Sequence, residues 1–371
     1  MSLADLRVFL DDQPATEEQL TLFREIRVDQ AIGMATQAEI DIAMSVDDTG
    51  TWSILDEEFA QPLRRVRIEV KVGNGEFAAL VEGPIIAQRV EMDATPGSST
   101  LCLVVHDDSV LLNRDEGAEL FEDMTPSDIA ESLIVAAGLL ADVESVPAAG
   151  AAHTRFEVRR GTAMQMLRRL ARRHGMFVFV KPGDTPGQSV CVFRKPDFTP
   201  GDAPELLLLG TERNISRFTV QYDALRPTTA RAGNVRVSDK ELLDSETEAA
   251  EVAPLGDQPL HSALPSTASS LLNGTREEQN DLDAATLAAV DLSTFALTAT
   301  AELDANDYAH ALSPHEVINV AGPGGKLGGA YLVSRVQHVL NDASYKQHVT
   351  LQRNALSAGG GGVHGITGGI F

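Results

Sequence analysis

One segment of the chain, Asp48-Thr49-Gly50, matches the tripeptide that carries the catalytic aspartate of aspartic proteases. Their chemistry requires two such aspartates that face each other and share one proton. The sequence contains no second copy, and the flanking Asp47 and Thr51 suit a hairpin turn. We therefore interpret this segment as a turn and not as a catalytic site.

A glycine-rich run at residues 322–328 (GPGGKLG) follows a predicted strand, as a phosphate-binding loop would. Such a loop must lead into a helix whose N-terminus meets the anion. This run instead leads into the strand-like sequence YLVSRV. The pattern therefore favours a hairpin loop.

Metal-binding patterns are incomplete. His315-Glu316 begins like the helix of zinc proteases, but position 319 is Asn, and Cys102 and Cys191 lack metal-ligand spacing. His106-Asp107-Asp108 and residues 304–307 could contact a cation, yet they lack the glycine and distant glutamate of a calcium loop, which favours solvated turns. The sequence thus predicts no catalytic residues, no metal and no cofactor, and a protein that is not an enzyme.

The one concentrated basic feature lies on a predicted helix that begins at Thr162 and ends at Gly175. At 100° per residue its arginines form a stripe opposite the apolar side chains. Either this stripe docks an acidic partner or it is a solvated face paired with local acids. The four arginines are Arg168, Arg169, Arg172 and Arg173.

The composition restricts which partners the protein can bind more than it restricts the fold. The 371 residues contain 54 acidic and 30 basic side chains, which gives a net charge of −24. Such a surface repels nucleic-acid phosphates and anionic membranes, although it can also reflect plain solubility. No secretory signal and no membrane-spanning run is recognised, so we expect a soluble protein made in the cytoplasm.

Two distant stretches read as copies of one β-unit. Residues 66–106 and 317–352 each contain a strand, a Gly-x-Gly turn, a second strand, a short turn and a third strand. Arg89-Val90 and Arg335-Val336 fall at matching places in the second strand. Duplicated β-units in one chain indicate two similar barrels placed side by side.

The expected fold class is mainly β with α+β. We predict two similar antiparallel β-barrel domains, a small α/β domain, and an insertion that is partly mobile because it is acidic and loosely patterned. The predicted divisions are residues 1–115 for the first barrel, 116–200 for the α/β domain, 201–225 and 295–355 for the second barrel, 226–294 for the insertion, and 356–371 for a glycine-rich tail.

Three segments resemble the baseplate hub proteins of contractile tails: the late control protein D family of phages, the tail hub of T-even phages and the N-terminal hub part of valine-glycine-repeat spike proteins. At residues 156–177 a strand leads into a helix that ends Leu-Ala-x-x-x-Gly before another strand. Residues 291–300 and 329–338 resemble strands of the family's second barrel. The likeness covers about residues 20–355.

The resemblance implies a structural role in a phage tail or a phage-derived contractile injection system, with the protein as a component of the virion or injection-particle baseplate. Hubs of this family are homotrimers that contribute six barrels to a ring between a sixfold tail tube and a threefold spike. The implied partners are the tail tube protein, a separate spike protein and baseplate wedge proteins. DNA or effector cargo would pass through an acidic channel without specific binding, and no membrane insertion is implied.

Two other classes of function stay open at this point. One is a β-rich binding module for glycans or proteins, which exposed aromatic side chains would support; aromatics make up 5% of the chain and Trp52 is its one tryptophan. The other is a tail-associated cell-wall hydrolase, which would need an acid and a base in fixed geometry.

The C-terminal tail generates the first testable prediction. A flexible glycine run precedes apolar side chains at the end of an acidic chain, so the segment is either a frayed terminus or a docking peptide. We expect deletion of residues 359–371 to leave assembly and thermal stability nearly unchanged and to abolish co-purification of the spike. Unchanged capture of the spike by the truncated protein would contradict the docking role. The apolar side chains are Val363, Ile366, Ile370 and Phe371.

Overall fold

The computed structural model describes residues 4–95, 97–146, 156–236, 239–273 and 278–358. Seven strands near the N-terminus form what we call the first β-unit. Its elements are β1 (Ala4–Leu10), β2 (Gln13–Pro14), α1 (Glu17–Leu22), β3 (Phe23–Ala31), β4 (Gln37–Ala43), a 3-10 turn (Glu58–Ala60), β5 (Arg65–Val72), β6 (Ala78–Glu91) and β7 (Thr100–His106). Alternate side chains of these strands point into one core, which includes Val28, Ile40, Ile68 and Leu103.

A small α/β domain follows. Its elements are α2 (Ser109–Asn113), β8 (Glu116–Glu122), α3 (Pro126–Ala136), β9 (Leu140–Val143), β10 (Phe156–Thr162), α4 (Ala163–His174), β11 (Phe177–Pro182) and β12 (Ser189–Arg194). The predicted caps of α4 are confirmed: the Thr162 hydroxyl accepts from the Gln165 amide at 3.2 Å, and Gly175 ends the helix at φ 63°. Buried Leu167 and Leu170 of α4 pack into this domain's core.

The rest of the chain contains the second β-unit and the insertion. Its elements are β13 (Leu206–Leu207), β14 (Phe218–Tyr222), β15 (Thr228–Val235), β16 (Leu242–Thr247), β17 (Gln258–Pro259), α5 (Leu260–Ala263), β18 (Ala268–Leu272), α6 (Gln279–Ser293), β19 (Leu297–Asp304), β20 (Val317–Ala321), β21 (Gly329–Asn341), β22 (Ser344–Arg353) and β23 (Ala355–Leu356). Strands β13, β14 and β19–β22 form the second β-unit, around a core that includes Leu303, Val333 and Leu351.

The two β-units have the same strand order. The first runs β1-β5-β6-β7-β4-β3 and the second runs β13-β20-β21-β22-β19-β14. Both long strands also carry a bulge at the same place, at Ile86 in β6 and at Ser334 in β21. The mainly β fold class with two similar antiparallel units is thereby confirmed. Relative to these bulges, Arg89 lies two residues beyond the position of Arg335, so the predicted match of these arginines is out of register.

The β-units share one continuous sheet, because β21 of the second unit pairs antiparallel with β3 of the first. Eight strands run side by side in the order β14-β19-β22-β21-β3-β4-β7-β6, and every adjacent pair is antiparallel. We call this the joined sheet. Its first four strands and its last four strands are the two half-sheets, which have equivalent strand orders.

The predicted insertion is more regular than its sequence suggests. Strands β16-β15-β18 form a sheet, and α6 packs on it through Leu282 beside Ala232 and Leu243. Helix α6 also packs against α4 of the small domain. The insertion therefore links the small domain to the second β-unit.

Arg353 at the end of β22 generates a stability prediction. Its buried guanidinium donates to the carbonyls of Leu255 and Gly328 at 2.9 Å each and to the Ser357 hydroxyl at 2.8 Å. Replacement by Leu removes these three bonds, although the Gly328 carbonyl keeps a bond from the Ser357 hydroxyl, and we expect it to lower the free energy of unfolding by about 3 kcal/mol. Urea unfolding measures this loss.

Arg194→Leu is the matched control for this prediction. Arg194 forms an ion pair with Asp142 at 2.6 Å in which both side chains are partly exposed. Its replacement should lower stability by less than about 1 kcal/mol. Equal losses in the two variants would contradict the structural role of Arg353.

Candidate interaction surfaces

One face of the joined sheet is polar along all eight strands. The opposite face points into the cores of the two β-units, so strand alternation leaves polar side chains outside. Two shallow depressions of about 670 Å³ and about 500 Å³ lie on this face, one on each half-sheet. Its basic side chains are Arg27, Arg89, Arg335 and Lys346, and its acidic ones are Glu25, Asp29, Glu39, Asp41, Glu91 and Glu302.

The charges of the polar face neutralise one another in pairs. Arg89 Nη2 lies 2.6 Å from Glu39 Oε1, and Arg335 Nε donates to Asp29 Oδ1 at 2.8 Å across the junction of the half-sheets. Lys346 pairs with Glu302 at 3.2 Å. The named side chains of this face comprise four bases and six acids, so most of the chain's net charge of −24 lies elsewhere.

The two outer edges of the joined sheet are open. In the described part of the chain, β6 beyond the bulge pairs with β7 alone, and β14 pairs with β19 alone. Apolar side chains at these edges are exposed: Val90 and Met92 near the end of β6, and Tyr222 on β14. These edges were not predicted from the sequence, although the alternation of apolar and polar residues continues through Gln88 to Met92. Open strand edges bind other strands.

A buried hydrogen-bond chain lies beneath the junction of the half-sheets. Gln30 donates a hydrogen bond from its side-chain nitrogen to the Leu80 carbonyl at 2.7 Å. The side-chain oxygen of Gln30 therefore faces His338 Nε2, at 3.1 Å. His338 Nε2 therefore carries the hydrogen, and Nδ1 accepts from the Tyr345 hydroxyl at 2.8 Å. Burial lowers the pKa of His338 to about 3, so the neutral imidazole is the form that the fold accommodates.

The four arginines of α4 do not share one role. Arg168 and Arg172 are exposed. Arg169 donates to Glu157 at 3.0 Å, and Arg173 contacts the same carboxylate. The predicted stripe is therefore divided between two solvent-facing cations and two that hold α4 to β10. The predicted docking residues of the tail, Val363, Ile366, Ile370 and Phe371, lie outside the described residues.

A buried ionic cluster joins the first β-unit to the small domain. Arg67 donates to Glu82 at 2.7 Å and to the Gly183 carbonyl at 2.8 Å. Arg65 binds Asp108 through two bonds of 2.8 Å, and Asp108 also accepts from Ser189 at 2.6 Å. Because each carboxylate is held by an arginine, the cluster is a structural contact and not an acid–base pair.

One prediction changes in this cluster. Asp107 and Asp108 were expected in a solvated turn, but both side chains are buried. Arg67 and Glu69 of β5 are also buried, and Arg67 donates to the Gly183 carbonyl of the small domain. Partners that are distant in sequence supply the hydrogen bonds that water would have made.

The remaining motifs have structural roles. The Asp47 carboxylate accepts from the amides of Thr49 and Thr51 at 2.8 and 2.9 Å, which confirms the turn. The glycine-rich run turns into β21 and not into a helix. The His315 ring stacks on Phe179 with centroids 3.9 Å apart, and burial lowers its pKa to about 4. Among the described residues there is no group of three or more His, Cys, Asp or Glu that could hold a metal.

A cleft of about 1290 Å³ separates the small domain from the insertion and the second β-unit. Phe177, Phe198 and Phe295 provide much of its apolar wall, and the carboxylates of Asp281 and Asp291 lie at its α6 side. His174 also lines the cleft, and burial lowers its pKa to about 4. The described helices include none that is long and apolar enough to cross a membrane.

One family model and several solved structures match this chain. A family model described as the Alg8 N-terminal domain matches residues 8–342. No curated protein matches the chain. The structure is similar to the 43 kDa tail protein of prophage MuSo2 from Shewanella oneidensis, with a TM-score of 0.65, 12% identity, and coverage of 95% of this chain and 99% of that one.

Two other solved structures are similar. A tail protein from Neisseria meningitidis MC58 gives a TM-score of 0.64 at 13% identity, covering 95% of this chain and 96% of that one. An Escherichia coli protein, described as a component of the type VI secretion system with similarity to the T4 tail proteins gp27 and gp5, gives 0.54 at 9% identity, with coverage of 94% and 76%. At these identities the comparison establishes a fold shared with phage-tail and secretion-system proteins.

The buried His338 generates a pH prediction. Its pKa is about 3 in the fold against an ordinary value of 6.5, so the unfolded chain binds a proton that the folded chain does not. Stability should be complete above pH 6.5 and fall as the pH drops from 6.5 toward 3, by up to about 1.4 kcal/mol per pH unit. The measurement is urea unfolding of the wild type and of His338→Gln between pH 7 and pH 4.

We expect His338→Gln to be less stable at pH 7 and to lose less stability on acidification. His348→Gln, on the polar face of β22, is the matched control and should retain the wild-type pH profile. An unchanged profile in His338→Gln would show that other groups produce the acid sensitivity.

Proposed function

The chain belongs to the family described as the Alg8 N-terminal domain, and we propose that it is a structural baseplate hub of a contractile tail. In this role it is a homotrimeric adaptor between the sixfold tail tube and the threefold spike. The particle is a phage tail or a phage-derived injection system. The late control protein D family, the tail hub of T-even phages and the N-terminal hub part of valine-glycine-repeat spike proteins are the nearest functional models.

The observation that carries this proposal is the repeated half-sheet. Each chain presents two half-sheets with equivalent strand orders, joined edge to edge. Three chains around a threefold axis would present six near-equivalent half-sheets, which can meet a sixfold ring on one side and a threefold object on the other. With one half-sheet per chain, six chains would be needed to match the sixfold ring.

The strand directions of the joined sheet are also compatible with a ring. Its eight strands alternate, so the two free edges, β14 and β6, run in opposite directions. Copies placed head to tail would therefore continue the antiparallel pattern through each contact. An odd number of strands would have produced a parallel contact at every boundary between chains.

The similar structures support the assignment to a tail because they are themselves tail or secretion-system proteins. They include prophage and bacterial tail proteins and a component of a type VI secretion system. Another similar structure is a complex of PdpA with VgrG. By analogy, the partners proposed for this chain are the tail tube protein, the spike and baseplate wedge proteins.

The surfaces can be assigned within the proposed hub. The polar face of the joined sheet would line the channel, where paired charges and hydroxyl groups let DNA or effector cargo pass without specific binding. Exposed Arg168 and Arg172 on α4 would face an acidic neighbour outside the ring. The apolar tail at residues 363–371 would dock on the spike or a neighbouring chain.

Assembly tests this proposal. We expect the purified protein, alone or with its tube and spike partners, to form a particle of about 119 kDa, three times the 39.7 kDa of one chain. Native mass spectrometry measures the stoichiometry, and electron microscopy of the complex shows where the ring lies. The hub should sit between tube and spike.

A protein that stays monomeric at high concentration in the presence of both partners would contradict the hub function. Degradation of peptidoglycan by the purified chain would instead identify a hydrolase. The double variant Arg168→Glu, Arg172→Glu should still form trimers while losing an outer partner; Lys326→Glu, at the turn before β21, is the control for a charge reversal elsewhere.

A further inference from the structure

The cleft beside the small domain is larger than a small ligand requires. Its volume is about 1290 Å³, whereas pockets that hold small molecules have volumes of about 300–1,000 Å³. Its lining residues come from the small domain, the insertion and both β-units. A cleft of this size and composition suits an extended segment of polypeptide.

Apolar side chains in the wall of the cleft are only partly covered. Phe177 and Phe198 are half-buried and pack against the buried cluster that contains Phe295. The rings of Phe198 and Phe295 lie 5.4 Å apart. Leu292, near the end of α6, lines the same cleft and is 43% exposed. Covering these side chains would remove apolar surface from water.

The rim of the cleft restricts the charge of what can enter. It includes the carboxylates of Glu251 and Asp281 and the cations of Lys195 and Arg226. A charged occupant would need matched partners, because burial of an unpaired charge is costly. The residues that follow Arg353 include no Asp, Glu, Lys or Arg, so this segment could enter without burying a charge.

The start of that segment is attached next to the cleft. Asn354 Nδ2 donates to the carbonyl of Ala253 at 3.0 Å, and Ala253 lines the cleft. The amide of Ala358, four residues further on, donates to Asp257 Oδ2 at 2.7 Å. Because four residues span at most about 14 Å, Ala358 lies within about 14 Å of Asn354.

The length of the tail is sufficient to return to the cleft. The four glycines at 359–362 can span about 14 Å, and the nine residues 363–371 can extend about 30 Å further. The glycines among those nine residues allow a backbone to lie close to aromatic rings. Their large apolar side chains are Val363, Ile366, Ile370 and Phe371.

We infer that residues 363–371 occupy the cleft of their own chain, with Ile370 and Phe371 against the wall that contains Phe177, Phe198 and Leu292. Attachment at Ala358 holds the tail at an effective concentration of about millimolar, so a weak contact is enough to fill the cleft. The inference does not depend on the proposed hub function. In a hub, the same apolar side chains would leave the cleft when they dock on the spike.

Protection of a thiol in the cleft tests this inference in the full-length chain. The thiol of Leu292→Cys should react slowly with a maleimide while the tail covers it. Adding Ile370→Asp and Phe371→Asp should raise the rate of alkylation at least tenfold, because buried carboxylates would expel the tail. Cys102 and Cys191 are buried and should contribute little to the reaction.

Leu209→Cys is the matched control for this measurement. Leu209 is 55% exposed and lies beside Gly322, in the turn whose Lys326 carbonyl accepts from the Ser357 amide at 3.1 Å. This position is therefore close to the start of the tail but does not line the cleft. Its alkylation rate should be the same with either tail. A Leu292→Cys rate that also ignores the tail substitutions would overturn the inference.

Disulfide trapping identifies which chain supplies the tail. On mild oxidation the double variant Leu292→Cys, Phe371→Cys should form a disulfide within the monomer, detected by non-reducing peptide mapping. We expect at least tenfold more of it than of the corresponding disulfide in Leu209→Cys, Phe371→Cys. Covalent dimers of the first variant would show that the cleft takes the tail of a second copy, and equal yields would show that the tail has no preferred site.

These outcomes are distinct from those that test the proposed function. A tail that leaves the Leu292→Cys thiol unprotected, in a protein that still joins tube and spike, would overturn the tail–cleft contact and leave the hub function standing. A protected thiol in a protein that stays monomeric with both partners would support the contact and contradict the hub function.

Discussion

The pairing of β21 with β3 is the contact on which the rest of the structure depends. Strand edges present backbone N–H and C=O groups that need partners, and this contact satisfies two such edges at once. It converts two separate β-units into one sheet with a common polar face. The neutral His338 and its two hydrogen-bond partners lie beneath the contact, so buried side-chain hydrogen bonds as well as backbone pairing hold the junction.

The small domain and the insertion are anchored mainly away from the polar face. The small domain covers β5 through Arg67, and the insertion is tied to the end of β22 through Arg353. Helices α4 and α6 then pack against each other. The elements outside the joined sheet thus hold one another as well as the two β-units, and they border the polar face at the cleft whose wall includes Arg335, Thr350 and Gln352.

The sequence was sufficient for elements whose pattern is local. The strand that begins the first copy of the β-unit and the helix that begins at Thr162 were predicted and are present. What failed depended on partners distant in sequence, as at Asp107 and Asp108, which are buried and not in a solvated turn. Strand β1 was also missed, since its pairing with β5 is visible only in the fold. The open edges of β6 and β14 could be recognised only after the strand order was known.

A repeat inside one chain carries information about contacts between chains. If β6 meets β14 of a neighbour as β21 meets β3, the rotation between half-sheets within the chain sets the rotation between chains. A rotation of 60° would close three chains into a ring, whereas a different rotation would give another number of copies or an open filament. The internal contact is fixed by buried side chains and by the Asp29–Arg335 ion pair. Changes at this contact should therefore alter the assembly even though they lie inside one chain and touch no neighbour.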